Sequence, residues 1–338
     1  MSADILIIGG GIVGCALAAF AAEGGAEVVL YEREAIAAGA SGRNSGVVQD
    51  TLDPAFTDLY EESLEHYRTL GHGFELPAEP AGLLIVSDRP FEPVPNATYL
   101  EGAALREAEP ALADGLVAYR IDTGRPVPPA AAAHAFAARA REAGARIEIG
   151  TAELRADGVL IDREPHDAGA IVVAAGPWSA ELAGVPVEPL WGVVVEFELP
   201  DPPRHVLEEA GIDVLTSEGA IPDVLFSAVT ARGISAIGST FLADRPDADA
   251  LAPRIVANAT RFLPSLKSAK PRGLRACARP ISADGRPYLG RLTDKVWVAT
   301  GHGAWGITLG PASARLVADQ LLGRPTEIPP ELSAARIS

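Results

Sequence analysis

The sequence predicts an α/β fold: a Rossmann-like nucleotide-binding domain interleaved with a mostly antiparallel β-sheet domain. Three observations predict it. An apolar strand runs into Gly9-Gly10-Gly11-Ile12-Val13-Gly14 and then an Ala-rich helix. A continuous apolar run of the kind that fills a parallel sheet returns at 170–175, and a further strand follows at 295–299. Between them lie Pro-rich or strictly alternating stretches, which read as antiparallel strands.

The first βαβ unit occupies roughly residues 3–34. In a G-x-G-x-x-G turn the first glycine permits the tight bend, the second lets backbone approach a pyrophosphate, and the third lets helix pack on strand. The helix N-terminus offers free N–H groups to phosphate. Glu32 closes the second strand, where a carboxylate can hold the hydroxyls of a ribose. A turn-rich loop, Gly39 to Val48, follows, and then helical spacing through Phe56, Leu59, Tyr60, Leu64, Tyr67 and Leu70. Prolines 77, 80, 90, 93 and 95 surround a strand at 82–86, and 105–112 reads as a short helix.

Pro128 and Pro129 open a further Ala-rich helix that Gly144 closes. A short strand near Ile147 and the apolar run 170–175 return the chain to the parallel sheet. Val193, Val195, Phe197 and Leu199 then alternate with Val194, Glu196 and Glu198, the period of a half-exposed strand. Residues 224–230 and 234–241 form a hairpin turning at Arg232-Gly233. A final strand, a glycine-rich turn and a helix from Pro311 to about Leu322 complete the chain. The nucleotide-binding domain is thus expected from 1–75, 126–184 and 282–338, and the second domain from 76–125 and 185–281. Such nesting places a cleft between the two.

Acidic residues number 45 against 28 basic ones, a formal net charge of −17. That balance argues against nucleic acid or an anionic membrane surface as partner. No apolar run reaches membrane-spanning length, and Ser2-Ala3-Asp4 replaces the basic start of a signal peptide. Cys15 and Cys277 form no CxxC pair or disulfide framework, so a reducing cytoplasm is expected. No metal site is expected. Cys15 reads as a small core residue.

A second strong motif is Val296-Trp297-Val298-Ala299-Thr300-Gly301-His302-Gly303-Ala304-Trp305-Gly306-Ile307-Thr308-Leu309-Gly310-Pro311. A strand, four glycines and a helix start aim backbone N–H groups at one spot, suited to a developing negative charge. With the N-terminal glycines and Glu32, three further segments complete a pattern. These are Ser41-Gly42-Arg43-Asn44-Ser45-Gly46, Val172-Val173-Ala174-Ala175-Gly176-Pro177-Trp178-Ser179, and Arg279-Pro280-Ile281-Ser282-Ala283-Asp284-Gly285-Arg286-Pro287. In this order they resemble the D-amino-acid oxidase-like family of FAD oxidoreductases, the group of glycine oxidase, sarcosine oxidase and the D-amino-acid dehydrogenases.

The resemblance implies FAD, not NAD, and makes the first domain an FAD-binding one. It places Gly9, Gly11, Ile12, Val13 and Gly14 at the pyrophosphate and Glu32 at the adenosine ribose with Arg33 beside it. Ser41, Arg43, Asn44, Ser45, Gly46 and Val47 are implied at the pyrophosphate and flavin edge, and Leu154 at the adenine. Ala175, Gly176 and Trp178 are implied along the ADP half, with Gly301, His302, Gly303, Gly306, Ile307 and Thr308 around the ring. Arg279 is implied as the clamp on a substrate carboxylate, at the edge of the cofactor, since a planar guanidinium matches a carboxylate bidentately. Arg275 is either its partner or a decoy. His302 and Trp305 complete the catalytic set. Trp191 stands where many relatives carry arginine, and Trp191 and Trp305 read either as an aromatic pocket wall, which favours a substrate bulkier than glycine, or as core. His66, Tyr60 and Tyr67 read as core or surface.

The activity implied is oxidation of the carbon–nitrogen bond of a small amino acid or N-methyl amino acid by hydride transfer to flavin N5, giving an imine that hydrolyses. O2, a quinone or another electron carrier would be the acceptor. Two alternatives stand: oxidation of a 2-hydroxy acid, and a flavin-carrying subunit of a heteromeric amine dehydrogenase complex. FAD is expected without a covalent bond. Cys277, however, aligns with the position at which sarcosine oxidases attach flavin through sulfur, so a link there stays open.

Overall fold

The computed structural model describes residues 3–155, 158–212 and 224–337. Among them the first sheet has six strands in the order Tyr288–Arg291, Val296–Thr300, Ala168–Val173, Ala3–Ile8, Val28–Glu32 and Arg146–Ile149. All pairings are parallel except that of Tyr288–Arg291 at the edge. Its strands carry apolar runs instead of alternation because both faces are covered. Helix Ile12–Glu23 is buried from Ile12 to Ala22, wedged between helices Ala131–Glu142 and Gly306–Leu321. A helix covered all round has no polar stripe, which is why its composition is almost uniformly apolar.

The second sheet has eight strands: Gly273–Ser282, Val187–Phe197, Ile234–Thr240, Val224–Ala231, Val206–Glu209, Leu83–Ser87, Val117–Ile121 and Thr98–Glu101. Only Val206–Glu209 with Leu83–Ser87 pairs parallel. Helix Ala248–Ala259 covers one face, where Phe226 and Phe262 stack with centroids 4.6 Å apart. The hairpin turns at Arg232 and Gly233, both at positive φ, as its tight connection requires.

Three elements differ from the reading of the sequence. The helix expected over 105–112 is Gly102–Ala108; Glu109 leaves it to accept hydrogen bonds from elsewhere. Val194 is as buried as Val193 and Val195 because its face of the sheet lines the cavity between the two sheets instead of open solvent. The last helix begins at Gly306, five residues before Pro311, so the proline lies inside it. Proline has no N–H for the Ile307 carbonyl. The Tyr67 hydroxyl donates to that carbonyl instead, and Ser63 Oγ accepts from the Ala312 N–H at 3.1 Å. Helix Thr57–Arg68 therefore completes the hydrogen bonding of the Pro-interrupted turn.

Glu109 holds the entry to strand Val206–Glu209. It is 1% exposed, and Oε2 accepts from the Arg204 N–H at 2.8 Å and the His205 N–H at 2.9 Å, with His205 Nδ1 at 3.0 Å. Burial alone would raise its pKa, but the bonds from His205, Arg204 and Ala111 outweigh it and hold the carboxyl below its ordinary value. A depressed carboxylate contributes stability that is present above the unfolded value of about 4.3 and is lost as pH falls through the folded value. Glu109→Ala is expected to lower stability at pH 7 by about 2–3 kcal/mol. In urea melts the gap to the parent should narrow below about pH 4; a gap independent of pH would show that packing, not charge, holds this corner.

Candidate active site

A continuous cavity of about 1250 Å³ lies between the two sheets, and most of the residues singled out in the sequence border it. On the first-sheet side Gly9 has φ +114, and a Cβ there would sit 2.5 Å from the Ala174 carbonyl oxygen. Gly10 N–H donates to Glu32 Oε2 at 2.7 Å and Glu34 N–H to Oε1 at 3.0 Å, so both carboxylate oxygens are oriented by backbone. Ser41 Oγ accepts from the Ile12 N–H at 2.9 Å. Asn44 is a brace for its own loop: Nδ2 donates to the Ala40 and Ser41 carbonyls and Oδ1 accepts from Gly46 N–H. Arg33 stacks 4.0 Å over the Trp178 ring. Arg43 is exposed and forms no ion pair among the described residues.

The residues Ile12, Val13, Ser45, Gly46, Val47, Ala175, Gly176, Gly303, Trp305, Gly306, Ile307 and Thr308 border the same cavity. Gly14, Leu154 and Gly301 do not. A Cβ on Gly14 would meet the Gly9 carbonyl oxygen at 2.0 Å, so that glycine serves helix–strand contact. Leu154, on a small three-stranded sheet of Ala152–Arg155, Gly158–Ile161 and Glu164–His166, packs on the core, and Gly150, Thr151 and Ala152 take the cavity edge. Gly301, at φ +84, only turns the chain. His302 is 3% exposed, its Nε2 has no hydrogen-bond partner among the described residues, and burial lowers its pKa to about 4. At neutral pH it is an uncharged imidazole.

The second sheet supplies the opposite wall. Arg279 pairs across the strands with Leu190, and its guanidinium lies over Gly192, where a Cβ would be 2.6 Å from Nη2. Nη2 donates to Ser239 Oγ at 2.7 Å and Nη1 to the Thr240 carbonyl at 3.1 Å, with the Phe241 ring 4.9 Å away. Desolvation lowers its pKa, yet no carboxylate of the described residues lies within ion-pair distance. The neighbouring Arg275, two residues past one strand repeat, is instead paired to Glu196 at 3.3 Å. Cys277 is buried between them and borders the cavity; burial raises its pKa, partly offset by Arg279, Arg275 and Arg43. Trp191 also borders the cavity, with Arg245 5.6 Å from its ring.

Sequence reading missed Gln49, Glu208, Ser239, Thr240 and Phe241. Only Gln49 carried a signal, a polar residue directly after the apolar pair Val47-Val48. The others lie on, or directly after, strands whose face is set by register alone.

The glycine cradle and the buried, partnerless imidazole nitrogen fit a dinucleotide whose far end is a polar ring. The family model described as FAD dependent oxidoreductase matches residues 4–320. The chain belongs to that family. It is similar to a glycine oxidase from Pseudomonas aeruginosa, 27% identical over 98% of each chain, and to one from Bacillus licheniformis, 24% identical over 96% of this chain and 94% of the relative. Among solved structures it is similar to iminodiacetate oxidase from Chelativorans, at 26% identity and TM-score 0.79 over 97% of this chain and 98% of that one. Glycine oxidase from Geobacillus kaustophilus shares the fold, with TM-score 0.81 over 97% and 96%. The oxidoreductase thus has FAD as its cofactor. No helix among its described residues is long and apolar enough to cross a membrane.

Proposed function

We propose that this oxidoreductase acts on the carbon–nitrogen bond of a small amino acid or N-methyl amino acid. The observation that carries the reading is Arg279: a recessed guanidinium, fixed by Ser239 and Thr240 and with no acidic partner among the described residues, on the wall facing the glycine turn. A cation so held is completed by an anion from outside. The similarity to glycine and iminodiacetate oxidases gives that anion as an amino-acid carboxylate.

FAD, when bound, supplies the two-electron acceptor. Gly9, Gly11, Ile12 and the Ser41–Val47 loop would hold its phosphates, Glu32 its ribose, and His302 with Gly303–Thr308 its ring. Arg279 holds the substrate carboxylate, and the Trp191 and Phe241 rings close the pocket against water. The substrate carbon gives up a hydride and its nitrogen a proton. Water then adds to the imine and displaces the amine. His302, uncharged near neutrality, orients and hydrogen-bonds. Positioning is the chain's main contribution.

Anaerobic mixing of the purified holoprotein with amino acids should bleach the flavin and release one ammonia or amine per flavin reduced. Bleaching only by 2-hydroxy acids, without ammonia, would replace the reading. Turnover with O2 against a quinone then identifies the acceptor. Cys277 is expected to stay free, because burial disfavours its thiolate. The intact mass after acid precipitation should equal that of the polypeptide; added flavin mass would establish a covalent bond.

A further inference from the structure

Of the outer strands of the two large sheets, Tyr288–Arg291 is bridged to Ser333 and Gly273–Ser282 to His302. Arg146–Ile149 pairs on one side only, with Val28–Glu32, and its other side has no backbone bridge among the described residues. The Gly150 N–H just beyond it donates to the Glu32 carbonyl at 2.9 Å. Successive residues of a strand turn their backbone groups to opposite sides. Glu148 and Gly150 therefore face Val28–Glu32, and the N–H and C=O groups of Ile147 and Ile149 point outward. An open edge of this kind is a template for a further strand. Ile149 is 62% exposed, the most of any large apolar side chain among the described residues.

The charges on this edge select the strand that fits. A second copy can pair with it antiparallel about a two-fold axis through Ile147, which then exchanges both backbone bonds with its own equivalent. Arg146 of each copy then stands opposite Glu148 of the other, at the non-hydrogen-bonded positions where side chains come closest. Within one copy the two side chains are 3.5 Å apart and 42% and 44% exposed, so both keep surface to offer. Two copies close a ring of alternating charge. A slip of the axis by two residues loses both matches. Thr98–Glu101, at the far end of the second sheet, carries one acid and no base and has no such match. A chain of net charge −17 repels its own kind, so a self-contact needs a locally matched surface. We propose that the chain forms a two-fold homodimer by antiparallel pairing of Arg146–Ile149 with the same strand of a second copy, which joins two six-stranded sheets into one. The proposal is independent of the substrate reading above.

The test is sedimentation velocity on the FAD-loaded chain from about 1 to 500 µM, a range suited to a small interface. The parent should pass from a 35.1 kDa species toward twice that mass. Arg146→Glu or Glu148→Arg alone should each weaken association about 10-fold or more, because like charges then face each other twice. Mixing these two variants should give a heterodimer, since one brings two acids and the other two bases. The double swap Arg146→Glu/Glu148→Arg should dimerise like the parent. Ile149→Pro removes an outward N–H at an edge position that tolerates proline, and should weaken association while flavin absorbance per protein stays at the parent level. Should a charge variant not fold, the parent series and Ile149→Pro decide. A parent that stays monomeric at about 500 µM overturns the proposal. So does a dimer that Ile149→Pro and the single charge variants leave intact, as pairing through Thr98–Glu101 would, or a folded double swap that stays monomeric.

Discussion

Arg279→Ala is expected to lower kcat/KM for a carboxylated substrate roughly 100- to 3,000-fold, since leaving a buried charge unpaired costs about 3–5 kcal/mol and each 1.4 kcal/mol is about a decade. Arg279→Lys should recover only part, because a point charge cannot form the two parallel bonds of the fork. Gly192 gives a second route to the same result without altering charge. A methyl group there would fall 2.6 Å from the guanidinium, so Gly192→Ala should displace the clamp and weaken carboxylate binding. The substrate-free protein, by contrast, should lose little in Tm after Arg279→Ala, because the hydrogen bonds to Ser239 and Thr240 are offset by removal of a desolvated charge that has no ion pair among the described residues. Sites that hold an uncompensated charge trade stability for function. A large fall in Tm with unchanged kinetics would make Arg279 a structural residue.

Gly11→Val and Gly14→Val are expected to fail in different ways, and the difference is read from their surroundings. Gly11 has φ −77 and ψ −178, an extended conformation open to any residue, and a Cβ there meets only Ser41 Oγ at 3.1 Å. Gly11→Val should therefore fold but copurify without flavin colour, since the side chain occupies the phosphate approach. Gly14 has a backbone oxygen at 2.0 Å from its missing Cβ. Gly14→Val must push the first helix off its strand and should give little soluble protein. Far-UV circular dichroism and the visible flavin bands separate the outcomes. A yellow Gly11→Val protein would mean that the phosphates lie elsewhere.

What the sequence made legible was what local chemistry dictates. Gly9, Gly11 and Glu32 announce a nucleotide turn because few other uses need glycine, glycine and acid at that spacing, and the nested α/β class follows from where apolar runs recur. The cavity's second wall was less legible. Ser239, Thr240 and Glu208 take their places through strand register and through which face of the second sheet turns toward the first, and neither leaves a periodic trace. The start of the last helix was misplaced for a related reason. Pro311 reads locally as a helix start, but Tyr67 and Ser63, some 240 residues earlier in the chain, satisfy the groups it leaves open.

The strand order carries a consequence for how the chain is made. Ala3–Ile8 pairs on one side with Val28–Glu32, but its other partner is Ala168–Val173, which in turn needs Val296–Thr300. A chain emerging from the ribosome therefore carries an unpaired, strongly apolar strand edge until residue 168 is made. It then carries a second such edge until residue 296. Such edges are sticky, and long-range pairing of this kind is slow. With the flavin ring placed, as proposed, against the glycine turn after Val296–Thr300, loading should be completed only near the end of synthesis. Shortened chains that stop before that strand are expected to aggregate instead of resting in a folded state.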